Sequence, residues 1–180
     1  MPMGPFTLAD TVGIDVGYKV ATILHEEYGY RMPIAPIIEK MYEAKYLGKK
    51  CETGGFYQYD GKDDYVNEHV ISMLPNNGKI FEDNEIVQRC LYIMINEASR
   101  CLEENIVTDA SIIDFAMITG TGFPAYKGGL LTYANEVGLK NILESLRKFE
   151  KDYGNRFTPS NLLIKLVKED EDFETGEFLW

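Results

Sequence analysis

The chain contains one stretch twice. Residues 4–41 align with residues 129–166 at a single constant offset and without a gap, and a repeat of that length obliges the fold to use one local structure in two places. Gly4, Thr7, Ala9, Val12 and Gly13 meet Gly129, Thr132, Ala134, Val137 and Gly138; Tyr28, Gly29 and Arg31 meet Tyr153, Gly154 and Arg156; Lys40 meets Lys165. The apolar positions follow the same register. Leu139, Ile142, Leu143, Leu146 and Phe149 recur at helical spacing opposite Ile14, Gly17, Tyr18, Ala21 and Leu24, so each copy is expected to hold the same amphipathic helix. Each copy closes on a similar tail, Glu52-Thr53-Gly54-Gly55-Phe56 and Glu174-Thr175-Gly176-Glu177-Phe178.

The copies differ in what precedes them. Ahead of the second, the spacing predicts a long helix from about Asn84 to Glu104 and a shorter one from about Asp109 to Ile118, capped by Thr108-Asp109. The long helix is apolar almost all round between Ile86 and Ile95, as expected of a central helix packed on several sides. The first copy has no counterpart, which leaves its core open, and residues preceding Met1 in a longer parent are expected to supply those helices. Between the copies, Tyr59-Asp60-Gly61-Lys62-Asp63-Asp64 and Pro75-Asn76-Asn77-Gly78 are rich in turn formers and read as a linker with one short helix. The expected division is residues 1–62 for an incomplete first copy, 63–82 for the linker and 83–180 for the second copy. Thr158-Pro159 supplies a cap and first position for the last helix. Strand signals reduce to Phe56–Tyr59, which alternates weakly. The class is all-α.

Composition narrows the partners. Lys and Arg total 18 against 29 Asp and Glu, a net charge of -11, and such a surface repels a phosphate backbone, so nucleic acid is not expected as a partner. No apolar run reaches the roughly 20 residues that span a bilayer, so no transmembrane segment is expected, and the N-terminus lacks a signal-peptide pattern. The chain reads as intracellular. Cys90 and Cys101 lie about three turns apart on one helix, out of disulfide reach, and with Cys51 they read as free thiols.

Few residues offer chemistry. Gly120-Thr121-Gly122-Phe123-Pro124-Ala125 fits a dinucleotide fingerprint in letters, but a capped helix precedes it instead of a strand, and Pro124 has no amide to give a pyrophosphate. An interhelical turn is the expected reading. His25 sits beside Glu26 and Glu27, and His69 lies in the linker; neither has an evident orienting partner. No paired cysteine or histidine spacing suggests a metal. Asn96 and Glu97 interrupt the apolar helix and are expected to brace neighbouring backbone, and Asp114 is expected to receive amides from the Gly120–Gly122 turn. Lys45, Lys49 and Lys50 form a compact basic group, read as a solvated helix end.

Pro2-Met3-Gly4-Pro5-Phe6-Thr7-Leu8-Ala9-Asp10 followed by Val12-Gly13-Ile14-Asp15 resembles the signature of the C-terminal domain of 3-hydroxyacyl-CoA dehydrogenases. Gly48-Lys49-Lys50 running into Gly55-Phe56-Tyr57 resembles that domain's closing motif. The second copy carries Asn96-Glu97-Ala98, Cys101-Leu102-Glu103-Glu104, Asp114 and Gly120-Thr121-Gly122-Phe123-Pro124, and it resembles the last domain of multifunctional β-oxidation enzymes. The alpha subunits of the fatty-acid oxidation complex and of the mitochondrial trifunctional protein are of this kind. The resemblance implies two tandem helical domains of the 6-phosphogluconate dehydrogenase C-terminal-like type, the first truncated at its N-terminus.

It also implies a reaction, oxidation of an L-3-hydroxyacyl-CoA by NAD, often accompanied by enoyl-CoA hydration in an N-terminal domain. In the family the catalytic His-Glu pair lies in a preceding Rossmann domain, where the His opens a His-Phe-Phe-Asn-Pro type motif. Here His25 leads into Glu26-Glu27 and His69 into Val70-Ile71, so neither matches. NAD is therefore expected to bind the parent enzyme outside this chain, with no cofactor, catalytic or metal residue within it. An Asn-Arg pair that reaches substrate from the family's first C-terminal helix is absent from the first copy, and the second shows Gln88-Arg89. The substrate-binding candidates are Met3, Gly4, Pro5 and Phe6, which by resemblance lie near the acyl pocket. The implied partners are the parent's Rossmann domain, the acyl-CoA substrate, and either a homodimer or a thiolase subunit. The implied location is the bacterial cytoplasm or the mitochondrial matrix. Two readings stand: part of a dehydrogenase, inactive alone, supplying acyl-pocket walls and domain pairing, or a stand-alone oligomerisation or acyl-CoA-binding module without catalysis.

Overall fold

In the computed structural model, residues 3–61, 63–75 and 80–174 are described. Pro2, Lys62, Asn76-Asn77-Gly78 and the tail from Thr175 onward lie outside them. The chain divides between residue 79 and Ile80 into two compact units. The first holds α1 (Pro5–Val12), α2 (Ile14–Tyr28), α3 (Pro36–Glu43), an antiparallel hairpin of β1 (Tyr57–Asp60) and β2 (Asp63–Val66), and α4 (Glu68–Ser72). The second holds α5 (Asp83–Glu103), α6 (Ala110–Thr121), α7 (Leu130–Val137), α8 (Leu139–Tyr153) and α9 (Asn161–Glu169). The class is all-α as expected, with one small hairpin.

The repeat is structural residue for residue. At the offset that pairs Gly4 with Gly129, α1 and α7 share both boundaries, as do α2 and α8, and α3 and α9 start at equivalent positions. The corner between each of the first two pairs is a glycine, Gly13 at φ 105° and Gly138 at φ 91°. Other residues are strained there, and glycine lets one helix end and the next begin without a linker.

In the second unit, the apolar stripe of α8 (Leu139, Ile142, Leu143, Leu146, Phe149) is buried with Leu130, Leu131, Leu162, Leu163 and Leu166 against Ile95, Ala98 and Leu102 of α5. The long helix is not covered all round. Ile86 and Val87 are about half exposed, and burial begins at Tyr92, because α7, α8 and α9 pack against its later turns. Its polar residues hold the start of α9. Asn96 donates to the Thr158 carbonyl at 2.9 Å and accepts from the Ser160 amide at 2.8 Å, and Arg100 donates to the same carbonyl at 2.5 Å. This satisfies buried polar groups that would otherwise be costly. It also moves the cap. With the Thr158 carbonyl committed and its hydroxyl donating to Glu150, α9 is capped by Ser160, whose Oγ accepts from the Leu163 amide, and not by Thr158. Asp109 caps α6 as expected, accepting from Ser111 at 2.7 Å.

The first unit is thinner. Ile14, Met41 and Val70 are its buried apolar residues, flanked by Ala9, Ile37, Ile38, Tyr42, Phe56 and others. Phe6 is 53% and Leu24 37% exposed, whereas their counterparts Leu131 and Phe149 are 0% and 3% exposed. In the second unit that face lies against α5 and α6, which the described residues of the first unit lack. Residues 63–75, read from composition as linker, fold onto the first unit. β2 pairs with β1, Val70 enters the core, and buried Asn67 donates to the carbonyls of Thr53 and Gly55 at 3.1 and 3.0 Å. Backbone pairing and one asparagine hold this segment, so hydrophobic patterning does not announce it.

Candidate functional site

Each unit is tied by a buried aspartate. In the first, Asp10 on α1 accepts from the amides of Phe56 and Tyr57, both at 2.9 Å, and from the Tyr59 hydroxyl at 2.8 Å. The closing segment can approach because glycines stand at its contacts: a Cβ on Gly55 would meet Asp10 Oδ1 at 2.0 Å, and one on Gly48 would meet the Asp10 carbonyl oxygen at 2.3 Å. The basic group beside this segment is dispersed among local partners. Lys50 pairs with Asp15, whose carboxyl is held below its ordinary pKa chiefly by that hydrogen bond, while Lys45 and Lys49 lie over the rings of Tyr42 and Tyr59.

Burial first, and then the hydrogen bond to Asp10, hold the Tyr59 pKa well above the ordinary tyrosine value. A raised folded-state pKa contributes stability that is complete below the unfolded value of about 10 and lost as pH climbs toward the folded one. The urea midpoint of the first unit is therefore expected to fall between about pH 9.5 and 11.5, and to fall less in Tyr59→Phe, which lacks the ionisable group. Because the chain has 12 tyrosines, the informative quantity is the difference between the two pH profiles.

In the second unit Asp114 on α6 accepts from the Leu131 amide at 2.6 Å and from the Thr132 amide and hydroxyl at 3.0 and 2.7 Å. Its partners are the first amides of α7 and not the Gly120–Gly122 turn. A carboxylate satisfies those orphan donors and complements the positive end of the helix dipole. The Gly120–Ala125 stretch ends a helix instead of opening one: Gly120 and Thr121 close α6, and Gly122 is its left-handed cap. At the position matching Asp10 stands Asn135, which accepts one amide, that of Phe173, at 3.2 Å. Phe173 thus takes the place of Phe56, a pairing the tail similarity did not reveal.

The candidates Met3, Gly4, Pro5 and Phe6 come together at the start of α1, with Gly4 as its N-cap and Pro5 as its first residue. Met3 and Phe6 are exposed, and the Phe6 ring lies 4.5 Å from that of Phe56. This end of the unit is an apolar ledge, and Val12, Val16 and Val20 of the same unit are exposed as well. A ledge of this kind can hold an acyl chain or a helix, but it has no acid, base or nucleophile. His25 Nδ1 faces the carbonyl oxygens of Gly29 and Met32, at 3.0 and 3.1 Å, and His69 lies beside the Tyr46 ring. Among the described residues no group of His, Cys, Asp and Glu is arranged to hold a metal, and no helix is long and apolar enough to cross a membrane.

A family profile described as the C-terminal domain of 3-hydroxyacyl-CoA dehydrogenase matches residues 1–59 and 86–175. The fatty acid oxidation complex subunit alpha of Shewanella loihica is 37% identical over 175 residues, covering 96% of this chain and 25% of that protein. The same subunit from Idiomarina loihiensis is 39% identical over 177 residues, with the same coverage. This chain thus spans about a quarter of the length of these relatives. The crystal structure of 3-hydroxybutyryl-CoA dehydrogenase from Escherichia coli K12 superposes with a TM-score of 0.69 at 18% identity, over 94% of this chain and 52% of that one, a likeness of fold. The chain belongs to the C-terminal domain family of the 3-hydroxyacyl-CoA dehydrogenases, oxidoreductases of fatty acid oxidation, with a match in each half.

Proposed function

We propose that this chain is the tandem C-terminal portion of an NAD-dependent L-3-hydroxyacyl-CoA dehydrogenase of β-oxidation, in a parent that also carries an enoyl-CoA hydratase domain. Residues 1–62 are the first domain copy without its leading helices, 63–82 are a connector whose residues 63–75 fold back onto that copy, and 83–180 are the second copy. The observation that carries the reading is the contrast between equivalent faces, Phe6 and Leu24 exposed where Leu131 and Phe149 are buried under α5 and α6. An apolar face of this kind is ordinarily covered. In the parent it meets the helices that precede this region, and Met3, Gly4, Pro5 and Phe6 then form part of the acyl-pocket wall. The Gly120–Ala125 stretch does not fit a dinucleotide, since it closes a helix and Pro124 has no amide. NAD and the catalytic pair belong to the parent's Rossmann domain, and this chain contributes walls and domain pairing. The assembled enzyme acts in the bacterial cytoplasm on acyl-CoA, as a homodimer or with a thiolase subunit.

The purified chain is expected to give no NADH-dependent reduction of acetoacetyl-CoA. The Shewanella loihica alpha subunit carrying this chain in place of its own matching segment is expected to reduce it, with the unaltered subunit as reference. Phe6→Ala in that chimera should raise KM for acetoacetyl-CoA by about tenfold, the usual scale for removing apolar contact from a substrate pocket. Turnover by the chain alone would refute the site assignment. A folded but inactive chimera, together with a stable dimer of the isolated chain, would favour the competing reading of a stand-alone oligomerisation module, since the same ledge would then cover itself.

A further inference from the structure

Several cations among the described residues have an acid or a carbonyl beside them. Lys50 has Asp15, Lys127 has Glu136 at 3.5 Å, and Arg100 has the Thr158 carbonyl. Arg89 and Arg156 are placed differently. Both line one pocket of about 280 Å³ in the second unit, with Ile86, Cys90, Ile93 and Phe157. The Arg89 guanidinium lies 3.9 Å from the centre of the Tyr153 ring and 5.2 Å from that of Phe81, and its Nε is buried without a hydrogen-bond partner. Arg156 lies 5.5 Å from the centre of the Phe157 ring.

Aromatic rings engage the face of a guanidinium. Its N–H donors lie in the plane and point outward, so stacking leaves them unmet. Among the described residues no carboxylate or carbonyl accepts from either arginine. Glu85, one turn before Arg89 on α5, is engaged by the Tyr153 hydroxyl at 2.5 Å. Two like charges beside one pocket repel, and the pKa of Arg156 is lowered by burial first and by Arg89 second. Two arginines lining one pocket stand out in a chain of net charge -11. Planar forks of this kind match an oxyanion with two oxygens in reach.

We infer that the pocket between Arg89 and Arg156 binds a phosphate-type oxyanion, free or as part of a nucleotide-bearing ligand, with Ile86, Ile93 and Phe157 as its apolar walls. The site is independent of the acyl ledge and uses no residue assigned to it. Cys90 stands in the same pocket and is exposed, so its thiol reports occupancy.

The test uses the full chain at constant ionic strength set with chloride. Inorganic phosphate, pyrophosphate and adenosine 3′,5′-bisphosphate are titrated by calorimetry, and iodoacetamide labelling of Cys90 is followed by peptide mass spectrometry with Cys51 as reference. Saturable binding of phosphate is expected, with labelling of Cys90 slowed at least threefold and that of Cys51 unchanged. Tighter binding of the bisphosphate identifies a nucleotide-bearing ligand, and equal binding identifies the free anion. Arg156→Gln, which removes the charge and keeps a polar side chain of similar length, is expected to weaken binding at least tenfold. Arg89→Lys keeps the charge and is expected to weaken pyrophosphate more than phosphate, since a point charge replaces the fork. Absence of saturable binding to any of the three anions, or binding unchanged in Arg156→Gln, overturns the proposal.

Discussion

Gly129→Ala is expected to unfold the second unit or bring it close to unfolding. The added Cβ would stand 2.2 Å from the Asp114 Cβ and 2.3 Å from its Cγ, and the backbone there has φ 130°, a region strained for any residue but glycine. Relief requires moving Asp114, whose carboxylate holds the first amides of α7. Backbone strain of about 1–3 kcal/mol and an orphaned buried amide of about 1–3 kcal/mol add to a loss on the order of 4 kcal/mol. That is a large fraction of the roughly 5–15 kcal/mol a domain possesses. Urea denaturation followed by hydrogen exchange in α7 and α8 would register it. Gly120→Ala serves as the control, because nothing lies within 4 Å of its added Cβ, and in a helix that change is neutral or slightly stabilising. The counterpart of Gly129 is Gly4, which has φ −68° and likewise nothing within 4 Å of an added Cβ. Gly4→Ala is therefore tolerated in this chain, whereas a parent supplying an α6-like helix, with an aspartate at the Asp114 position, would make the same change costly. An unchanged midpoint in Gly129→Ala would show that Asp114 does not hold the start of α7.

The repeat made much of this architecture readable before any coordinates. Matching glycines at 13 and 138 and an apolar stripe in common placed α2 and α8 correctly, because helix boundaries depend on local chemistry that both copies share. The capping of α6 by Asp109 was legible from local residue type, and a polar Asn96 inside an apolar helix called for a backbone partner, though not for the one it has. What escaped was set by contacts between distant residues. β2 has four exposed residues and no apolar alternation, so turn formers dominated its reading. Thr158 is a good cap by type, but its carbonyl is claimed by Asn96 and Arg100 from α5, about sixty positions away in sequence. The partners of Asp10 and Asp114, and the meeting of Arg89 with Arg156, likewise leave no periodic trace. Met3 to Phe6 were singled out by family likeness; the fold adds that they form an exposed apolar ledge with Phe56 beside it.

Asp10→Asn should loosen the first unit far more than a change of one atom suggests. Asp10 uses both oxygens: Oδ1 accepts from Phe56, and Oδ2 accepts from Tyr57 and Tyr59. An amide offers one oxygen, so in either orientation an NH2 group confronts a backbone N–H, and one donor loses its acceptor. The tyrosine hydroxyl can rotate to accept; a backbone amide cannot. A cost on the order of 3 kcal/mol follows, and because the unit buries so few apolar side chains, that loss falls on a structure with little reserve. Amide exchange across Tyr57–Val66 is expected to accelerate about a hundredfold, the rate equivalent of that energy, while α7 to α9 keep their protection. The second copy shows what an asparagine can do at this place. Asn135 accepts from Phe173 alone, and its Nδ2 is buried without a partner. That unit tolerates the arrangement because its closing segment docks on a full leucine core with Phe173 buried in it. In the first unit the Asn67 bonds to the Thr53 and Gly55 carbonyls remain, and the Phe6 ring against Phe56 is the aromatic contact left to substitute for the lost bond. Exchange in the hairpin unchanged by Asp10→Asn would mean that this ring contact, and not the carboxylate, closes the first copy.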